Sequence, residues 1–256
     1  MIDLALLPAP VLGPPAGGRR QVKLRAPRPP RSRMPHLYLV RHAQPDFTGH
    51  YDSVTALGLQ QSAWLGQHFA ARGLRFARVV SGSLQRQVHT LETTLQHLPG
   101  APPRLVDPRF NEYDAASVLA AFHLGDEGAL RATGDRRGYF TAVRSALQAW
   151  SQREDAPAGM ESWRTFGERV IAAADAACAE LEHSDVVLVV TSGGVIGRLV
   201  AATLGADAEA AIQLNLQTRN TGITELIRGR SVSRLVAFNA IPHLEHPDRA
   251  HAVTHS

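Results

Sequence analysis

The sequence predicts an α/β fold: a mostly parallel sheet flanked by helices on both faces, with a helical cap inserted into it. Three observations carry this. Short apolar runs of strand length alternate with longer stretches whose apolar residues recur near helical spacing, the pattern of parallel strands joined by crossover helices. One central segment, about 115–160, keeps helical periodicity without a strand and is best placed as an inserted cap. Finally, 256 residues with 44% hydrophobic content suffice for a sizeable core, and no apolar run approaches the length of a bilayer span, so no membrane partner is expected.

The elements follow in order. HLYLV (36–40) is a short apolar strand. Ala56 to Arg72 places Leu57, Trp64, Leu65 and Phe69 near helical spacing before Gly73 supplies a stop. FARVVSG (76–82) is a second strand, Ser83 to His97 a helix, and Pro99 to Pro103 a breaker. After the cap, a helix runs from Glu161 to about His183, then a strand over 186–191 and a helix ending near Gly205. ITELI and SVSRLVAF, flanking Arg228-Gly229-Arg230, predict a hairpin at the sheet edge.

Residues 1–33 stand apart from the domain, which spans 34–250. They hold seven basic residues (Arg19, Arg20, Lys23, Arg25, Arg28, Arg31, Arg33), one acid, Asp3, and seven of the sixteen prolines, the composition of a disordered basic extension. They lack a basic n-region and are broken by Pro8 and Pro10, so no secretory signal is expected and Met34 is a candidate start. The net charge of +4 resides in this extension: the remainder carries 20 basic and 22 acidic residues, so no nucleic-acid partner is expected. Cys178, the sole cysteine, allows no internal disulfide, which fits a cytoplasmic protein with a core thiol. His243 and His246 form an HxxH pair with His251 and His255 behind, but without cysteines or an acidic cluster no resident metal is expected.

In doubly wound sheets, ligands gather at the carboxyl ends of the strands. Three such corners carry chemistry here: Arg41-His42-Ala43-Gln44, Ser81-Gly82-Ser83-Leu84-Gln85-Arg86 and Thr191-Ser192-Gly193-Gly194. Two guanidinium forks, a histidine and helix starts suit a phosphoryl group, because forks match phosphate oxygens and free helix N–H groups bind anions.

At these residues the chain resembles the histidine phosphatase superfamily, the phosphoglycerate-mutase-like group of branch 1. LYLVRHAQ is similar to the family's Arg-His-Gly signature, with Ala43 in the glycine place. VTALGLQQS (Thr55, Gly58, Gln61), VVSGSLQRQVHTLE, RFNEYD and AGMESW resemble further family segments in the family order, over roughly 34–245. The resemblance implies a cofactor-independent phosphomonoesterase acting on a small phosphorylated substrate. His42 would attack phosphorus, Arg41 and Arg86 would hold the phosphoryl oxygens, and Glu112 would protonate the leaving oxygen, with Asp114 its neighbouring competitor. Gln44, Ser192 and Gly193 are implied as phosphate contacts. His89, one helical turn beyond Arg86, is read as a histidine behind the pocket or on the surface, and the cap pair Arg136-Arg137 either meets an anionic substrate or is a solvated charge pair.

The departure lies at VVLVVTSGGVIGR, where Ser192 stands in place of the family's second histidine. A serine hydroxyl still donates but brings no charge, so a phosphatase of modified site, a weak or inactive phosphate-binding protein, a mutase and a Ser192 hydrolase all remain open. The hydrolase would need glycine where Val190 stands. Inorganic phosphate is an expected ligand, and a homodimer is left open.

Overall fold

The computed structural model describes residues 34–47, 50–122, 124–156, 159–229 and 233–255; the extension expected over 1–33 lies outside them. Six strands form one sheet: β1 (His36–Arg41), β2 (Arg78–Ser81), β3 (Arg104–Val106), β4 (Val186–Thr191), β5 (Ile223–Arg228) and β6 (Ser233–Ala240), in the order β3-β2-β4-β1-β5-β6. β3, β2, β4 and β1 run parallel, while β5 pairs antiparallel with both β1 and β6. The sheet is thus mostly parallel, with the expected hairpin at its edge.

The apolar runs of β1 and β4 reflect coverage of both faces. Leu37, Leu39, Val187 and Val189 point into one core, and Tyr38, Val40, Leu188 and Val190 into the other. The second core receives Leu65 and Phe69 of α1 (Ala56–Ala71) and Leu91 of α2 (Gln85–Leu95). The first receives α6 (Trp163–Cys178) and α7 (Gly193–Leu204), including Phe166 and Ile196. Cys178 is buried there, and burial pushes its thiol up to about 11.

The cap resolves into three helices: α3 (Ala115–Ala121), α4 (Glu127–Ala132) and α5 (Arg136–Ser151). Each starts at an aspartate, Asp114, Asp126 and Asp135, whose carboxylate accepts first-turn N–H groups. α5 joins the main core through Trp150, fully buried and 5.2 Å, edge to face, from Trp163. Three elements differ from the sequence expectation. α6 ends at Cys178, short of the expected His183, where Ala179 turns extended and Glu180 takes a φ of 64°. β3 is a three-residue edge strand whose Leu105 and Val106 are about half exposed, so it has no buried run to mark it. α8 (Ala208–Gln217), capped by Asp207, packs beside α7, and its Thr218-Arg219-Asn220 exit returns the chain to the end of β1.

The HxxH pair is structural. His243 is buried and its Nε2 donates to Thr221 Oγ1 at 2.8 Å, while His246 accepts from Asp248 N. Thr221 spends its own proton on Asn220 O, so a second proton on His243 would fall on Nδ1, which is buried without a partner among the described residues. Burial, His68 and Arg249 lower the imidazole pKa to about 3. The unfolded chain therefore binds the proton first, and stability contributed by neutral His243 is full above the ordinary histidine pKa and falls as pH drops from there toward 3. We expect urea unfolding to lose up to about 1.4 kcal/mol per pH unit from this residue. His243→Gln should shallow the stability–pH slope between pH 6 and 4; an unchanged slope would assign the acid sensitivity elsewhere.

Candidate functional site

Parallel pairing brings the ends of β1 and β4 level, with Arg41 opposite Thr191, and His42 N continues the ladder to Thr191 O at 2.8 Å. The corner after β1 is locked from several sides. Ala43 N donates to Thr90 Oγ1 (2.9 Å), whose own hydroxyl bonds Arg86 O, so one threonine of α2 ties the two corners together. Thr55 caps α1 through Gly58 N (3.0 Å), and Gln61 accepts from Gln44 N (2.9 Å) while donating to Ala252 O. Gly58 lies against this corner so closely that a Cβ would sit 2.5 Å from Gln44 O. The Thr55, Gly58 and Gln61 motif is thus the buttress of the histidine loop.

His42 is buried, and its Nδ1 lies 2.9 Å from Ala43 O. A carbonyl only accepts, so this contact assigns the ring proton to Nδ1 and leaves the lone pair on Nε2. Burial, then the Arg86 and Arg41 charges, hold the imidazole pKa well below the ordinary histidine value. The ring is therefore neutral at neutral pH.

Arg41 and Arg86 are both buried. Arg41 Nη1 donates to Thr218 O at 2.5 Å and its Nε has no partner among the described residues. Arg86 pairs with Asp52 at 2.8 Å, and its Nε is likewise unpartnered. Asp52 also accepts from Gln85 N and Arg86 N, so a carboxylate already occupies the start of α2. Those two amides are therefore engaged within the protein, while the guanidinium groups of Arg41 and Arg86 line the cavity.

Glu112 sits at the start of α7, where Gly194 N donates to its Oε2 at 2.9 Å. Burial raises its carboxyl pKa, against the opposing pull of Gly194 N–H, Arg86 and Arg41. Asp114, by contrast, is exposed and engaged as the α3 cap with Ala116 N, Ser117 N and Ser117 Oγ. Arg41, His42, Arg86 and Glu112 line a single cavity of about 290 Å³.

Three expected contacts lie outside that lining. Gln44 turns its side chain to Thr55 Oγ1 (2.8 Å), serving the α1 cap. Ser192 is fully buried, and its Oγ accepts from Gln87 Nε2 at 2.8 Å. Gly193 is buried against Asn215 and Thr218. The reason is shared: each is held by a neighbouring element before the cavity begins. His89 is exposed, and Arg136 reaches outward to His255 O at 3.1 Å and lies over Phe47.

The opposite side of the cavity comes from residues the motifs did not mark: Tyr51, Glu127, Arg131 and Tyr139. The Tyr51 ring stands 6.4 Å from that of His42, edge to face, with Arg131 3.3 Å over its face. The one local signal was the i,i+4 spacing of Glu127 and Arg131 in α4. Among the described residues, no group of three or more His, Cys, Asp or Glu side chains could hold a metal, and no helix is long and apolar enough to cross a membrane.

Comparison with known proteins agrees with this geometry. The family profile of the Histidine phosphatase superfamily (branch 1) matches residues 37–120 and 132–241. The Serine/threonine-protein phosphatase PGAM5, mitochondrial, of Rattus norvegicus is 35% identical over 68 residues, 25% of this chain and 24% of that protein. The chain thus spans about a quarter of the length of that relative. A Putative phosphoserine phosphatase 2 of Hydrogenobacter thermophilus is 24% identical over 221 residues, 82% of this chain and 98% of that one. Among solved structures, a putative alpha-ribazole-5'-P phosphatase from Escherichia coli has the same fold, with a TM-score of 0.60, 22% identity, and coverage of 80% of this chain and 96% of that one.

Proposed function

The chain belongs to the histidine phosphatase superfamily (branch 1), and we propose on that footing that it is a phosphomonoesterase working through a phosphohistidine on His42. The observation that carries this reading is the Nδ1 contact of His42 with Ala43 O, which leaves a neutral Nε2 lone pair on a residue that lines one cavity with two buried arginines. Nε2 attacks phosphorus as the ester P–O bond breaks, and Glu112 gives its proton to the departing oxygen. Water then attacks the phosphohistidine, the Glu112 carboxylate takes its proton, and inorganic phosphate leaves. Arg41 and Arg86 hold the equatorial oxygens throughout, supplying fixed positive charge where negative charge spreads in the transition state. A cavity of about 290 Å³ is at the small end for ligand sites, which favours a small monoester over a folded phosphoprotein.

In this reading Ser192 stands where the family has its second histidine, and Gln87 takes up the space: its amide donates to Ser192 Oγ and to Phe110 O. Ser192 then acts as packing rather than as a phosphate donor. Ser192→Ala should cost about 0.5–1.5 kcal/mol of folding stability, the worth of one buried hydrogen bond, and change the Kd for inorganic phosphate by less than about threefold. A loss of tenfold or more in that Kd would restore the direct contact.

The deciding experiment is to react the protein with radiolabelled aryl phosphate and quench it in acid or in alkali. A phosphohistidine is labile in acid and survives alkali, so label should persist only in the alkaline quench and be absent from His42→Ala. Acid-stable label on Ser192 would overturn the assignment.

A further inference from the structure

We propose that Arg131 and Glu127 of the cap select the leaving group, and that the substrate is a small phosphomonoester whose alcohol part is zwitterionic, bearing a carboxylate and an ammonium. This rests on the phosphomonoesterase reading and adds the class of substrate.

Arg131 is 6% exposed, yet it is not a surface arginine folded back by chance. Its guanidinium lies 3.3 Å over Tyr51, 4.6 Å from the Tyr139 ring centre and 5.2 Å from that of Phe47. Nε and Nη2 both donate to Glu127 Oε1, at 3.0 and 2.5 Å, and Nη2 also reaches Tyr139 Oη at 2.7 Å. Tyr139 in turn donates to the same Oε1 at 3.0 Å. The fork is therefore fixed in orientation by stacking and by a carboxylate, the arrangement in which arginine recognises a planar anion with little further ordering.

The fixing is incomplete in one respect. Arg131 Nη1 is buried without a partner among the described residues. All three bonds to Glu127 fall on Oε1, which leaves Oε2 without a hydrogen-bond donor among the described residues. Both side chains line the cavity that holds His42. A buried guanidinium N–H left unpaired is costly, and this one belongs to a side chain on the cavity wall, where a ligand can satisfy it.

Charge decides which ligand fits. The Arg131 charge is cancelled by Glu127, so a lone carboxylate on the substrate would gain Nη1 but lie beside an acid. A lone ammonium would gain Oε2 but lie beside a guanidinium. A zwitterion pairs with both and adds no net charge to a buried cluster that is already neutral. The phosphoryl end is provided for separately by Arg41 and Arg86.

The test compares kcat/KM for O-phosphoserine (both groups) and its three deletion analogues: phosphoethanolamine (ammonium only), 3-phosphooxypropanoate (carboxylate only) and ethyl phosphate (neither). Wild type should prefer O-phosphoserine to each single-group ester by about tenfold or more, as expected when a built polar site meets a ligand lacking its partner, with ethyl phosphate poorest. Glu127→Gln should collapse the preference over 3-phosphooxypropanoate, and Arg131→Lys or Arg131→Ala the preference over phosphoethanolamine. Ratios measured on one preparation do not depend on the fraction that is folded, so a destabilised variant still answers. Hydrolysis of all four esters within threefold, a preference for a single-group ester, or ratios unmoved by the variants would overturn the selection while leaving the phosphatase reading intact. Failure to hydrolyse any of them, or an aryl phosphate, would overturn both.

Discussion

His42→Ala is expected to lower kcat/KM for every phosphomonoester by about 10⁴- to 10⁶-fold, the scale seen when a nucleophile is removed from a group of residues that act as a unit. The size follows from what remains. Without Nε2 there is no covalent step, and the water that could replace it has no base placed for attack at that position. Arg41 and Arg86 remain, and their anchors, Thr218 O and Asp52, do not involve the imidazole. Phosphate binding should therefore weaken far less than turnover. The fold should also tolerate the change, because the imidazole is neutral and its one hydrogen bond goes to the adjacent Ala43 O. Calorimetric titration of the variant with inorganic phosphate, beside its rate, separates the two effects. Turnover within about tenfold of wild type would remove His42 from the chemistry.

What the sequence could and could not reveal about this site follows from how locally each part is specified. β1 and β4 were readable because burial on both faces leaves near-continuous apolar runs, and a strand end fixes the position of the next residue, so Arg41 and His42 were readable with them. Arg86 was reached through the corner that follows β2, and Glu112 only through the resemblance of RFNEYD to a family segment. β3 escaped because its side chains are exposed, and α8, although set off by Gly205 and capped by Asp207, because its short buried face is only Ala211, Ile212 and Asn215.

The cap side of the cavity is a different case. Arg131 becomes a site residue only because α4 packs over the Tyr51 loop, a juxtaposition that no spacing within the chain encodes. Arg136-Arg137 drew attention as adjacent charges, yet Arg136 Nη1 reaches His255 O rather than the cavity. Ser192 was expected to contact phosphate, but its Oγ is taken by Gln87, 105 positions away on α2.

Glu112→Gln should have the second largest effect, about 10²- to 10⁴-fold on kcat/KM for an alkyl monoester, the usual contribution of general acid catalysis. An aryl phosphate should suffer less, since its phenolate leaves without a proton. The pH profile carries the sharper signature. His42 must be unprotonated to attack, and its pKa is held well below the histidine value, so the acid limb lies far below neutrality. Glu112 must be protonated to donate, and burial holds its pKa above the ordinary carboxyl value, so the rate for alkyl esters falls as pH rises through that raised pKa. A bound phosphoryl dianion, formed above about pH 6, raises it further by repulsion. The optimum therefore lies between the lowered His42 pKa and the raised Glu112 pKa, and Glu112→Gln, having no proton to lose, should abolish the alkaline limb as well as lowering its height. Asp114 provides the control. Its carboxylate caps α3, a task asparagine performs nearly as well, so Asp114→Asn should keep the alkaline limb. If that limb survives in Glu112→Gln and disappears in Asp114→Asn, the proton comes from the exposed aspartate, and the burial that raises the Glu112 pKa serves the packing of Gly194 instead.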